Sequence, residues 1–247
     1  MKLTISVITI CFNCENEIKK TIESVLAQDY KNVEYIIIDG GSRDKTLEFA
    51  KEYEDRFAKK GYSYIISSEP DNGIYDAMNK GIGKCSGHII GILNAGDWYE
   101  PNALRVVANT YYKTRFDMFY ADINLVKPNG KVIVKHSKQD IFPTSRHWNH
   151  PTSFVTKKLY SELGAYRCKG IHDDFEFLLR VKKAKKNIVI RNIVLANFVT
   201  GGVSNAKSIK KSITRLKDRY WAYRVNGYGR VFILECILME IFKAVLG

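Results

Sequence analysis

Polar side chains that could bind a ligand stand where three short apolar runs of the chain end. Cys11, Phe12 and Asn13 end the first run, Asp39 ends the second, and the segment NAGD at 94–97 ends a third. The carboxyl ends of parallel strands meet at one edge of an α/β sheet, and ligands bind at that edge. Three such ends in one chain therefore predict a binding site formed by these loops.

A bound phosphate group would need a positive partner at this site. The chain has neither a GxGxxG after the first run nor a GxxxxGK[ST] anywhere, so the sequence gives no support to a dinucleotide fold or a P-loop. Asp97 is the side chain that could hold a divalent cation. Hard cations bind carboxylate oxygens together with the phosphate oxygens of a substrate, so such a cation would neutralise the anion.

Two neighbouring carboxylates, Asp173 and Asp174, precede a helical pattern at 175–181. Transfer of a group by in-line displacement requires a base for the proton of the acceptor and a centre that stabilises charge on the leaving group. Asp174 could supply the base, and Asp97 could hold the stabilising cation. The alternative is that Asp174 only caps the helix, and the spacing by itself favours that structural role.

The elements that must position these residues alternate between two periodicities. Strands that are apolar on both faces and alternate with helices predict an α/β fold with a mainly parallel, Rossmann-like central sheet. Short strands are predicted at 5–10, 33–38, 64–66 and 89–93, and helices at 18–26, 44–53 and 74–82. Further elements are a helix from 101 to 112, irregular strands within 118–160 with a turn at 128–130, a helix from 173, and strands near 188–199.

Composition limits the class of protein. The chain has 247 residues, of which 45% are hydrophobic and 26% charged, so it can form a large core and is not a disordered protein. No apolar run approaches the roughly 18 residues that a spanning helix needs, and the first dozen residues predict a buried strand rather than a leader. The five cysteines form no disulfide framework, which favours a cytoplasmic protein. Cys11 and Cys14 form a CxxC, consistent with a redox dithiol or, more simply, with small residues at a strand end.

The last 43 residues are basic and helical in pattern. Residues 205–230 contain eight Lys or Arg side chains and one acid, which is over half of the net charge of +13. An apolar stretch follows at 231–246. This combination suits a helix on an anionic membrane surface, and a basic outer helix packed on the domain explains it about equally well. Nucleic acid is a weaker expectation, because the chain shows no aromatic-basic RNA motif and no recognition helix.

Several motifs together resemble family 2 glycosyltransferases with the GT-A fold. They are SVITICFN at 6–13, TIESVLAQ at 21–28, IDGGSRDKT at 38–46, EPDNGIYDAMNKG at 69–81 and LNAGD at 93–97. His150, GAY at 164–166, Asp174 and GGVS at 201–204 continue the match, which covers about residues 4–205. The pattern is similar to the branch with colanic-acid-type and other surface-polysaccharide enzymes. The resemblance implies a GT-A domain at 1–204, followed by the helical segment 205–247.

The resemblance also implies roles for individual residues. Asp39 would accept hydrogen bonds from the nucleotide base, with the segment 11–13 packed against it. Asp76 and Asn79 would line the donor pocket, together with the segment 94–96. Asp97 would be the metal-binding acid of a DXD-like motif, and Asp174 would be the catalytic base. This chain departs from that motif at Asn94 and Gly96, so one carboxylate remains to hold Mn²⁺ or Mg²⁺.

Four further positions receive weaker predictions. His150 would contact the donor phosphate or the acceptor, and Asp173 would stand beside them. Trp98 would stack on a sugar face, although an amphipathic core tryptophan explains it equally well. Gly201 and Gly202 would form a loop that closes over the donor.

The function that these observations imply is a metal-dependent, inverting glycosyltransferase of the hexosyltransferase type. It would use a nucleotide-sugar, expected to be UDP-linked, and a lipid-linked or saccharide acceptor. It would lie peripherally on the cytoplasmic face of the inner membrane and assemble a surface polysaccharide. Two alternatives stay open. A sugar-1-phosphate nucleotidyltransferase would need a glycine-rich, arginine-bearing loop after the first strand, which Cys11–Cys14 is not. A catalytically silent membrane-associated scaffold would not need Asp39, Asp97 and Asp174.

Overall fold

A computed structural model describes residues 2–200 and 209–246. Within these residues nine strands form one sheet. The strands are β1 (Ile5–Cys11), β2 (Val33–Asp39), β3 (Ser63–Ser68), β4 (Ile89–Ile92), β5 (Trp98–Tyr99), β6 (Met118–Val126), β7 (Val132–Lys135), β8 (Phe154–Thr156) and β9 (Ile188–Val199). The helices are α1 (Ile18–Leu26), α2 (Thr46–Lys51), α3 (Glu54–Lys60), α4 (Ile74–Lys84), α5 (Ala103–Thr114), α6 (Lys157–Leu163), α7 (Asp173–Lys183), α8 (Ile209–Val225) and α9 (Phe232–Leu246), with a 3₁₀ turn at His150–Thr152.

The strand order is β3-β2-β1-β4-β8-β6-β9-β5, and β7 pairs with β6 at the side of this path. The first four strands are parallel, because helices connect each of them to the next. Beyond β4 the sheet is mixed: β8 is antiparallel to β4 and β6, while β6 and β9 are parallel. The predicted α/β class with a parallel strand arrangement around β1 is confirmed. The turn predicted at 128–130 joins the antiparallel pair β6 and β7.

Each face of the sheet is covered by its own apolar core. In β1 and β2, alternate residues face opposite sides: Val7 and Ile37 belong to one core, and Ile8 and Ile38 to the other. Both central strands are fully buried over seven residues, which explains their continuous apolar sequence. Burial of each such side chain stabilises the fold by about 1.5–3 kcal/mol.

Two predicted elements have different bounds in the structure. The helix expected at 44–53 is the shorter helix α2, and α3, which was not predicted, follows it; the strands expected near 188–199 are the single strand β9. Asp44 does serve the start of α2, since its carboxylate accepts a hydrogen bond from the Thr46 amide at 3.0 Å. The predicted domain boundary between 204 and 205, and the loop at Gly201 and Gly202, lie outside the described residues.

The basic helix α8 packs on the domain through α7. Tyr223 is fully buried and stacks edge-on against Phe175 at 5.4 Å between ring centroids. Two arginines of this segment do not belong to a basic outer face. Arg215 pairs with Glu240 of α9 at 2.8 Å, and Arg219 lies over the Phe175 ring, so both are buried between elements.

Across 2–200 and 209–246, the structure contains no helix with the length and apolar content needed to cross a bilayer.

Candidate active site

The three polar strand ends meet at one edge of the sheet, as the sequence predicts. Cys11 and Asp39 are register partners at the ends of β1 and β2. The Gly40 amide donates to the Cys11 carbonyl at 2.9 Å, and the Ala95 amide donates to the Ile10 carbonyl at 3.2 Å. The loops after β1, β2 and β4 are therefore joined by backbone hydrogen bonds into one site.

Asp39 is completely buried at the floor of this site. Its carboxylate accepts hydrogen bonds from the Ser42 amide at 3.1 Å and from the Ser68 hydroxyl at 2.6 Å. The Ser42 hydroxyl is a further donor to the same carboxylate. Asp39 thus holds the loop after β2 against the end of β3. A nucleotide base that donated to Asp39 would share carboxylate oxygens that already accept these hydrogen bonds.

Asn13 joins the first two loops. It adopts a left-handed backbone conformation (φ 48°), which asparagine tolerates better than most residues. Its amide donates to the Ser42 hydroxyl at 2.8 Å, and its side-chain oxygen accepts from the Arg43 amide at 2.8 Å. The geometry gives Asn13 a part in shaping the site.

Phe12 and Asp71 both lie over Gly40. The Phe12 side chain is 60% exposed, which is unusual for a phenylalanine within a rigid loop. A Cβ at Gly40 would lie 2.5 Å from Oδ2 of Asp71 and 3.4 Å from the Phe12 ring. The missing side chain at Gly40 therefore lets Asp71 and Phe12 pack closely over the end of β2. The surface between Phe12 and Asp71 is named here the niche, and its exposed aromatic ring and its carboxylate suit a flat polar ring.

The start of α4 lies beside this niche. Asp76 accepts a hydrogen bond from the Asn72 amide at 2.9 Å and pairs with Lys80 at 3.6 Å. Asn79 uses its whole amide on the backbone of Tyr166, donating at 2.8 Å and accepting at 2.9 Å. Asn79 therefore ties α4 to the segment before α7, and Asp76 stands nearer the niche.

Asp97 ends the third loop and is 5% exposed. Its Oδ1 accepts from the Val199 amide at 3.0 Å, and its carbonyl accepts from the Thr21 hydroxyl at 2.7 Å. Gly96 has φ +99°, so the tight turn before Asp97 uses a conformation that glycine favours. Burial raises the pKa of Asp97 to about 7, and the Val199 amide opposes this only in part.

The oxygens at this loop fit a divalent cation. Among residues 2–200 and 209–246, no cation contributes to the pKa of Asp97, so in this part of the chain its buried carboxylate has no positive partner. In the same turn, Oδ1 of Asn94 is buried without a hydrogen-bond partner among the described residues. Hard oxygens of this kind suit Mg²⁺ or Mn²⁺. The described residues contain no three acidic, His or Cys side chains that are close enough together to hold a metal ion. A metal here would therefore need the oxygens of a bound diphosphate as further ligands.

Trp98 follows Asp97 in β5. One face of its indole ring is covered by the Lys20 ammonium, which lies 3.0 Å from the ring centroid. The side chain is half-buried. The stacking surface that the sequence predicts is therefore shared with a cation from α1.

Asp174, at the first turn of α7, contacts α4. The Tyr75 hydroxyl lies 2.9 Å from Oδ1 of Asp174 and 3.1 Å from the Ile171 carbonyl. His150 is close enough for the charge of Asp174 to raise its pKa, although burial lowers that pKa by more. The ring of His150 stands edge-on to Trp148 at 5.7 Å between centroids. The structure thus brings Asp174, His150 and Tyr75 together.

Asp173 is fully buried and organises the preceding loop. Its Oδ2 accepts from the Lys169 and Gly170 amides at 2.8 and 2.9 Å, and burial raises its pKa. Asp218 of α8 accepts from the Ile171 amide at 3.2 Å. Carboxylates from α7 and α8 therefore both hold this loop in place, and Asp174 follows directly after it.

Sequence reasoning missed Tyr75, Asp71 and the serines that hold Asp39. Tyr75 and Asp71 both lie within the segment 69–81 that carries the family resemblance, so the motif contained them without indicating their contacts. It also did not indicate that Arg180 pairs with the buried carboxylate of Glu176, at 2.9 Å.

Comparisons with known proteins identify the family of this chain. The model of "Glycosyl transferase family 2" matches residues 6–175. An uncharacterized glycosyltransferase of Mycobacterium tuberculosis (strain H37Rv) is 30% identical over 236 residues, covering 91% of this chain and 87% of the relative. A "PGL/p-HBAD biosynthesis glycosyltransferase" of Mycobacterium bovis (strain BCG) is 27% identical over 217 residues, covering 85% of this chain and 83% of the relative.

Solved structures share the fold. S. aureus TarS 1-349 in complex with UDP-GlcNAc superposes with a TM-score of 0.72 at 14% identity, covering 98% of this chain and 72% of that one. The mannosyltransferase PcManGT from Pyrobaculum calidifontis, in complex with GDP-Man and Mn²⁺, gives 0.73 at 13% identity, covering 100% and 71%. These likenesses confirm the GT-A arrangement of the sheet. Together, the family match over 6–175 and the 30% identical relative show that this chain is a member of glycosyl transferase family 2.

Proposed function

We propose that this chain is a metal-dependent hexosyltransferase that moves a sugar from a UDP-activated donor to a lipid-linked saccharide, with inversion at the anomeric carbon. The contact between Tyr75 and Asp174 carries this proposal, because it joins the helix that begins at the niche to the carboxylate suited to act as base. TarS was solved with UDP-GlcNAc and PcManGT with GDP-Man, which supports a nucleotide-sugar donor. Because these two donors carry different nucleotides, the identity of the nucleotide has to be tested.

In this proposal the niche between Phe12 and Asp71 binds the nucleotide base, and Asp97 with Asn94 would hold Mn²⁺ or Mg²⁺. A bound cation would supply charge stabilisation for the leaving nucleoside diphosphate. Asp174 accepts the proton of the acceptor hydroxyl while that oxygen bonds to the anomeric carbon. The bond from this carbon to the diphosphate oxygen breaks on the opposite side, so configuration inverts. Tyr75 orients Asp174, and His150 lies beside the incoming hydroxyl.

The acceptor and the location also form part of the proposal. The relative named for PGL/p-HBAD biosynthesis supports an acceptor that belongs to a lipid-linked or surface glycoconjugate. We place the chain peripherally at the cytoplasmic face of a membrane, where a net charge of +13 favours anionic lipid.

The first experiment is calorimetric titration of the full chain with UDP, GDP and dTDP, each with and without Mn²⁺. Wild type is expected to bind UDP in preference and to bind it more tightly with metal. Asp97→Asn should lose the metal enhancement, while Asp55→Asn, an exposed aspartate of α3, should keep it. Absence of nucleotide binding by folded protein would favour the silent scaffold, and preference for another nucleotide would change the donor.

A further inference from the structure

Two apolar side chains project from the loop between β7 and the 3₁₀ turn. Ile141 is 98% exposed and Phe142 is 69% exposed. The loop that carries them is held in place: the Thr144 hydroxyl donates to Asp140 at 2.8 Å, and the Tyr223 hydroxyl donates to the Pro143 carbonyl at 3.0 Å. The fold therefore fixes this loop while leaving Ile141 and Phe142 in solvent, which is a costly arrangement for a surface without a partner.

Helix α9 presents a matching apolar stripe. Val231 just before the helix, and Leu234, Leu238 and Ile241 within it, are 53–66% exposed. Their spacing of three, four and three residues places them on one side of the helix. Cys236, on the opposite side, is fully buried against the domain. The stripe is thus directed outward and is not needed for packing within the described residues.

The loop and the stripe form one continuous surface. A cavity of about 410 Å³ has Ile141 and Phe142 on one wall and Leu238 and Met239 on the other. Leu238 belongs to the stripe, so the cavity joins the stripe to the loop, and residues 141, 142, 231, 234, 238 and 241 together are named here the apolar face. Exposed apolar side chains that are grouped in this way mark an interaction site.

The exposed charge around the apolar face is positive. A second cleft of about 530 Å³ has Ile141 on one wall and Lys182, Lys185 and Lys186 on another. The nearby acids are paired with other side chains: Asp140 with His147, Glu235 with Arg219 and Glu240 with Arg215. Lys183 and Lys185 are exposed, whereas Lys182 is half-buried and Lys186 pairs with Glu162. Apolar side chains beside exposed lysines are the pattern of a surface that enters the headgroup region of an anionic membrane.

We propose that the apolar face, with Lys182–Lys186 at its rim, docks on a bilayer that contains anionic lipid. A second copy of this chain fits less well, because two faces in contact would bring two lysine rims together. The inference deepens the proposed function by naming the surface that faces the membrane, and it rests on that function for the position of the acceptor. It also moves the membrane contact away from Arg215 and Arg219, which are buried.

The test is flotation of the full chain with vesicles of phosphatidylcholine, with and without about one third phosphatidylglycerol. Wild type should bind the anionic vesicles, and Ile141→Ser with Phe142→Ser should weaken that binding by about tenfold or more. Val132→Ser with Val134→Ser is the matched control, because these valines are 53% and 43% exposed on β7 and line neither cavity. Its binding should equal that of wild type.

A second pair of variants tests the charge. Lys183→Glu with Lys185→Glu should reduce binding to anionic vesicles, whereas Lys51→Glu with Lys59→Glu, the same charge change on α2 and α3, should have a smaller effect. Equal losses of vesicle binding in both pairs would overturn a specific role of the lysines at the rim, because net charge alone would then explain the binding. Wild type that does not float, or an unchanged Ile141/Phe142 variant, would overturn the docking surface.

Two parallel measurements separate the remaining outcomes. Light scattering reports the mass of wild type: a dimer that the Ile141/Phe142 variant dissociates, without vesicle binding, would assign the face to a second copy and overturn the proposal. UDP titration of the same samples reports the donor site. Intact UDP binding without flotation contradicts only the docking surface, and flotation without UDP binding contradicts only the proposed function.

Discussion

The Tyr75 hydroxyl lies 2.9 Å from Oδ1 of Asp174, although the two residues are 99 positions apart in the chain. Tyr75 opens α4 beside the niche over Gly40, and Asp174 lies in the first turn of α7. Burial, together with the charge of Asp174, raises the pKa of Tyr75, so the phenol stays protonated and acts as a donor to the carboxylate. This contact connects the proposed donor site to the proposed base.

Removal of this hydroxyl should slow turnover without loss of the fold. In Tyr75→Phe the ring keeps its packing on Tyr166, while Asp174 loses a charge-assisted hydrogen bond worth about 1.5–3 kcal/mol. We expect kcat to fall by about tenfold to a hundredfold with little change in the KM for the donor. Tyr160→Phe is the matched control, because Tyr160 also packs on Tyr166 and has no hydrogen bond to Asp174. Equal kcat values for Tyr75→Phe and wild type would contradict a positioning role.

Replacement of the carboxylate itself should have a larger effect. Asp174→Asn retains the shape of the side chain but cannot accept a proton, so kcat should fall by about 10²–10⁴. UDP affinity, measured by calorimetry, should stay within about twofold of wild type, because Asp174 lies at the acceptor side in this proposal. A variant that loses UDP binding and turnover together would place Asp174 in the donor pocket instead.

The buried carboxylate of Asp97 should make stability depend on pH. An unfolded aspartate ionises near pH 4, whereas burial raises the pKa of Asp97 to about 7 in the folded protein. Between these values the folded protein keeps a proton that the unfolded chain has released, so stability falls as the pH rises and levels off above 7. In urea unfolding with EDTA, wild type should lose on the order of 3 kcal/mol from pH 5 to 8 relative to Asp97→Asn. Parallel curves for the two proteins would contradict an uncompensated carboxylate.

Gly170 allows the loop before Asp174 to approach α8. A Cβ there would lie 2.7 Å from Cγ of Asp218, so Gly170→Ala should destabilise the protein by about 1–3 kcal/mol. Gly83→Ala is the control, because a Cβ at that helical position meets nothing within 4 Å, and helix propensity favours alanine there. The penalty of Gly170→Ala should shrink in an Asp218→Ala background, as urea denaturation can measure. A penalty of the same size in both backgrounds would exclude this clash as its cause.

The buried carboxylate of Glu176 should be important for the stability of α7. It pairs with Arg167 at 3.0 Å and with Arg180 at 2.9 Å. Glu176→Gln leaves two guanidinium groups without their anion, and the loss of one partner of a buried pair costs about 3–5 kcal/mol. Glu162→Gln, which removes the partly exposed partner of Lys186, should cost less than about 1 kcal/mol. Similar unfolding midpoints for these two variants would show that the Glu176 network is not stabilising.

Local sequence determined the strands, the helices and the loops that carry the site. Val33–Asp39 is apolar on both faces because a central parallel strand is buried on both, and that pattern is readable without coordinates. The polar residues at the ends of β1, β2 and β4 follow from the same physics. The family resemblance added Asp39, Asp97 and Asp174 as candidates, because it depends on residue types and their spacing along the chain.

Tertiary structure alone decided which side chains face one another. Whether Arg215 and Arg219 meet water or carboxylates depends on how α9 folds back, and helical periodicity holds no information about that partner. The partner of Asp174 likewise depends on the packing of α4 against α7. The exposure of Ile141 and the burial of Tyr223 depend on how the loop after β7 lies against α8. Periodicity reports the environment of a residue relative to its own helix or strand, whereas contacts between elements arise only when the whole core assembles.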